Sequence, residues 1–91
     1  MSLEIQDRLR KYCELTEDRS SIDKFVCPVE GCDFSTRLGP GALRMHILMK
    51  SDPDMESRYC PSHHEFYRTY QDELGTDVVR YLVTLPRIQA D

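Results

Sequence analysis

Cys27 and Cys32 flank the short stretch Pro28-Val29-Glu30-Gly31, and thirteen residues separate the second cysteine from His46. Two thiols on a tight turn and an imidazole some way along the chain are three of the four ligands that a closed tetrahedral zinc site needs. A fourth belongs about one helical turn beyond His46. Lys50, Ser51 and Asp52 stand there instead, and neither an ammonium nor a hydroxyl holds zinc.

Closure must therefore come from farther along, and the candidates lie in Arg58-Tyr59-Cys60-Pro61-Ser62-His63-His64-Glu65. Three schemes are open. Cys60 joining Cys27, Cys32 and His46 makes a Cys3His site and is placed first. His63, then His64, in place of Cys60 makes Cys2His2. Cys60 and His63 pairing with the two earlier cysteines leaves His46 out. Cys60 is favoured because a helix N-terminus lowers a thiol's pKa and promotes the thiolate that binds metal. Cys27 and Cys60 are also both followed by proline.

Residues 25–50 resemble the C2H2 (ββα) zinc finger family. Cys27-Pro28, Gly31-Cys32, the aromatic Phe34 and Leu43 three residues before His46 carry the resemblance. It implies a β-hairpin and helix, one zinc held by Cys27, Cys32 and His46, and a small core of Leu43 and the aromatic. It also implies possible contact with nucleic acid. The chain departs from the family where Phe34 follows the second cysteine by two residues rather than four, and where the terminal histidine is missing. The third closure scheme is similar to treble-clef fingers, whose second ligand pair sits on a helix N-terminus.

Several elements must position these residues. Ser2 can cap a first amphipathic helix over 3–15, with Ile5, Leu9, Tyr12 and Cys13 on its apolar face. Cys13 on that stripe reads as a small buried hydrophobe. Residues 16–23 read as a polar linker. Phe25-Val26 enters the cysteine turn and 33–37 returns as a second strand. Gly39-Pro40-Gly41 breaks the chain and Pro40 starts the helix that carries His46. Pro53 ends it. Pro61 starts a further helix to about Leu74, with Gly75 as its left-handed terminator. The segment after it reads as helix or strand, with helix favoured. The expectation is one domain of the α+β class, mostly helical. A zinc-binding hairpin and helix pack with N- and C-terminal helices, in units 3–15, 25–50 and 60–85.

A chain of 91 residues buries a thin core, and small domains often need a staple. Formation of a structural zinc site contributes on the order of 10 kcal/mol at neutral pH. No apolar run is long enough to span a membrane, and the charged N-terminus lacks the apolar centre of a signal peptide. These features place the protein inside the cell, in the nucleus if the source is a eukaryote. Metal binding then explains the cysteines better than disulfides do.

The net charge of −4 argues against a non-specific grip on nucleic acid. Only residues 24–50 are locally basic. Arg37, Arg44 and Lys50 are the candidate phosphate contacts there. The base-reading positions of a finger helix fall on Gly39, Ala42 and Met45, whose side chains neither donate nor accept. Met45, Leu48 and Met49 suit a protein partner better. An enzyme is not expected: Arg68 stands where a second histidine should follow His64-Glu65, and no small-molecule substrate is evident. The expected function is a zinc-binding regulatory or adaptor module acting on another protein. A nucleic-acid-binding, transcription-related finger is the alternative.

Overall fold

The computed structural model describes residues 3–88; the proposed cap at Ser2 lies outside them. Among the described residues the chain forms a three-stranded antiparallel sheet and a set of short helices, an α+β fold.

The helix expected over 3–15 is two shorter elements. Asp7–Tyr12 is a 3-10 helix, and Cys13–Leu15 is strand β1. Leu9 and Tyr12, three residues apart, are both buried, which suits three residues per turn. Cys13 then pairs with Phe25 of β2, Ile22–Val26. The sheet captures the segment that local periodicity assigned to a helix. Cys13 is half-buried against the core, and burial pushes its thiol up to about 11.

The expected linker is instead a hairpin turn, with Ile22 and Asp23 already in β2. The Asp18 carboxylate accepts from the Thr16 hydroxyl (2.7 Å) and from the Ser20 hydroxyl and amide, while Arg19 takes a left-handed φ of 61°. These local bonds let polar residues turn the chain without a long loop.

β2 is the central strand. Its far end pairs with β3, Ser35–Thr36, through Phe25 and Val26. At its near end the Ile22 amide donates to the Pro86 carbonyl, and the Ile88 amide donates to Ile22. The C-terminal tail thus continues the edge that β3 leaves open.

Helix α1, Pro40–Ser51, has proline at its start as expected. It buries Leu43 and Ile47 against the sheet and the later helices. Helix α2, Pro61–Tyr70, crosses α1 and tightens into a 3-10 turn, Gln71–Leu74. Gly75 is not a left-handed terminator. Its φ of −82° is extended, and it precedes α3, Thr76–Val83, as the N-cap. The next helix begins at once, so the chain never turns through the left-handed region there. The ambiguous last segment is helical because Val78 and Leu82, four apart, both reach the core.

Leu9, Tyr12, Ile22, Phe25 and Ile47 are almost fully buried. A polar junction lies beside them. The buried Glu73 carboxylate accepts from Tyr12 (2.9 Å) and Lys11 (2.7 Å), and the Arg44 Nε donates to the Leu74 carbonyl at 2.6 Å. These bonds tie the N-terminal 3-10 helix and α1 to the turn after α2. Burial and the Glu73 partner hold the Tyr12 phenol well above its usual value.

Phe25→Ala should cost about 3–5 kcal/mol through the cavity it leaves. Urea unfolding of the metal-loaded protein checks this, with the midpoint falling and the slope unchanged.

Candidate metal centre

The turn between β2 and β3 presents the two thiols. The Cys27 amide donates to Phe34 and the Cys32 amide to Val29, both at 3.0 Å. Gly31 takes a φ of 84°, a left-handed conformation that favours glycine. This closes the turn with both sulfurs on one side.

α1 faces that turn and brings His46. Its Nε2 lies 3.5 Å from Cys32 Sγ. The His46 ring stacks on Phe34, with centroids 3.9 Å apart and planes within 6°. Phe34, offset from the family's usual aromatic position, thus fixes the orientation of a donor ring.

His63 on α2 supplies the fourth donor. Its Nε2 lies 3.5 Å from Cys27 Sγ, and its ring meets that of His46 edge-on. One donor atom from each of Cys27, Cys32, His46 and His63 lies within 4.8 Å of the others. Four thiol and imidazole donors at that separation are close enough to coordinate one metal ion. The linear pattern is C-x4-C-x13-H-x16-H.

The structure gathers Cys27, Cys32 and His46 together, as the sequence suggests, but adds His63, the second-placed candidate, and not Cys60. Cys60 is the extended N-cap of α2. Its amide donates to the Lys50 carbonyl at 2.7 Å, which places its backbone at the junction of the helices and leaves its thiol half-exposed. The nearby amides of His63 and Ser62 hold that thiol below its usual value. The electrostatic reason for favouring Cys60 is therefore present, but Cys60 is not among the donors that lie together. His64 is also outside the cluster and shares a 2.7 Å hydrogen bond with the Tyr59 hydroxyl. Neighbouring residues on a helix point about 100° apart, so only one of His63 and His64 can face α1.

Ser51 explains how His63 arrives. It occupies the region of α1 where a finger would carry its last histidine. Its buried hydroxyl lies 2.6 Å from the Ile47 carbonyl and 3.0 Å from the His63 carbonyl. Its single proton is shared between the two carbonyls, so the residue at the expected ligand position lies at the α1–α2 contact beside the His63 backbone. That role is invisible in the local sequence, because its partner is twelve residues away.

Burial sets the chemistry of the donors. It pushes the Cys27 thiol up to about 12. It lowers His46 to about 4, helped by His63 and the Lys50 charge, and it lowers His63. Both imidazoles are therefore neutral at neutral pH, with lone pairs available. His63 Nδ1 is buried without a hydrogen-bond partner among the described residues. A charged ring would need acceptors for both nitrogens, so this surrounding favours the neutral ring.

Two of the three candidate phosphate contacts are engaged within the fold. Arg37 donates through Nε and Nη2 to Asp23 at 3.1 and 2.9 Å, and Arg44 holds the Leu74 carbonyl. Lys50 is half-buried beside the metal donors. No protein-family model, curated protein or solved structure matches the chain significantly.

Metal content by native mass spectrometry should show one ion per chain, lost in Cys27→Ser, Cys32→Ser, His46→Ala and His63→Ala. Cys60→Ser and His64→Ala should keep it. The metal-free protein should also respond to pH in a defined way. His46 binds its proton near 6.5 when unfolded but near 4 when folded, so stability falls as pH drops between those values. Cys27 moves from 9.0 to about 12, so stability falls again as pH rises above 9. Circular dichroism of the chelator-treated protein against pH should show whatever folded fraction remains to be highest between the two.

Proposed function

We propose that the protein is a non-catalytic, zinc-stapled module whose task is to bind another protein. The observation that carries this reading is the donor set, two thiols and two imidazoles converging from a turn and two helices. Zinc takes such ligands tetrahedrally. Bond lengths of about 2.3 Å to sulfur and about 2.0–2.1 Å to nitrogen put adjacent S and N ligands about 3.6 Å apart. Two of the four S···N separations here are 3.5 Å, and all four donors lie within 4.8 Å of one another. Four protein ligands leave no open position for substrate or water, which makes the ion a folding element.

The surface favours protein over nucleic acid. The cations best placed for phosphates, Arg37 and Arg44, already have partners. Of the three base-reading positions, Met45 is about half exposed, and an apolar side chain there reads no hydrogen-bonding pattern. The DNA-binding alternative has the hairpin-helix unit in its favour but not these side chains.

A fluorescent pool of random-sequence duplex DNA, titrated with zinc-loaded protein at low and moderate salt, tests the two readings against each other. Weak binding is expected, alongside a protein partner recovered by crosslinking in the source cells. Tight, steeply salt-dependent DNA binding that Arg37→Ala abolishes would replace the adaptor reading with the nucleic-acid one.

A further inference from the structure

A shallow groove of about 510 Å³ runs along α1 beside the metal centre. Phe34, Ala42, Met45 and Met49 supply its apolar surface, and the His46 ring forms part of its wall. Its charged lining residues are Lys50 and Arg58. Both are cations, in a chain whose net charge is −4. Arg58 lies across the groove's end, with Nη1 3.7 Å from the Met49 sulfur.

We propose that this groove docks a partner protein's amphipathic segment, one that offers apolar anchor side chains flanked by carboxylates. This rests on the protein-binding reading above and names the surface and the partner's chemistry. Charge complementarity selects the occupant. Apolar anchors remove the Met and Phe surface from water, and carboxylates beside them meet Lys50 and Arg58 rather than the chain's prevailing negative charge. Methionine side chains are flexible enough to fit varied anchors. A nucleic acid would find two cations for its phosphates, but its bases would face thioethers without donors or acceptors. The groove is also tied to the metal centre, because its Phe34 and His46 walls are the stacked pair that orients one donor.

The test uses zinc-loaded full chain and two peptide libraries with identical Leu and Phe anchors at helical spacing. One library has Glu flanks and the other Lys flanks. Fluorescent duplex DNA is a third probe, and sedimentation detects self-association. The expected result is selective binding of Glu-flanked peptides, weakened on the order of tenfold by Met45→Asp and by Arg58→Glu. Native mass spectrometry should show that both variants keep their metal, so the loss is not one of folding. Equal binding of Lys-flanked peptides, undiminished binding by both variants, or self-association through the groove overturns the proposal. A cellular protein partner that binds both variants like wild type overturns the groove assignment but keeps the adaptor reading. Duplex DNA held in the groove overturns both.

Discussion

The crossing of α1 and α2 is the contact on which the rest of the structure depends. His46 and His63 lie on different helices, and both must reach two sulfurs on a turn of the sheet. The Cys60 amide on the Lys50 carbonyl and the Ser51 hydroxyl beside the His63 carbonyl fix how the helices meet. A small shift there separates the donors, since each ligand bond tolerates only a few tenths of an ångström. The metal and the helix crossing therefore stabilise one another. An ion held there would tie the C-terminal half to the hairpin, and the packed helices hold the imidazoles neutral and aimed.

Burial acts in opposite directions on the two kinds of donor. It leaves the imidazoles deprotonated and ready, while it keeps the Cys27 thiol protonated. Binding an ion must therefore displace a proton from sulfur. The same low-polarity surroundings strengthen the bonds once formed. Metal uptake at such a site would be coupled to folding, on an energetic scale comparable to the net stability of a small domain.

The fold also disposes of its charges in a way that shapes its surface. Glu73 is used internally by Lys11 and Tyr12, Arg37 by Asp23, and Arg44 by a backbone carbonyl. What remains beside the metal centre is an apolar strip with Lys50 and Arg58 at its margin. Among the described residues no helix is long and apolar enough to cross a membrane.

Much of the local chemistry was legible in the sequence. The Cys27–Cys32 turn and Pro40 and Pro61 as helix starts follow from short-range rules of spacing and backbone geometry, while Leu43 as a core residue is what the resemblance to C2H2 fingers implies. The N-terminal segment differs from the expected helix because Leu9 and Tyr12 bury equally well from a shorter 3-10 helix with Ile5 just ahead of it, and the pairing of Cys13 with Phe25 is a long-range bond. Gly75 was misplaced because its conformation depends on where the next helix begins. The sequence alone determined that two thiols and an imidazole would seek a fourth donor. Only the tertiary structure brought His63 to the cluster rather than Cys60 or His64, because that choice lies in how α2 packs against α1.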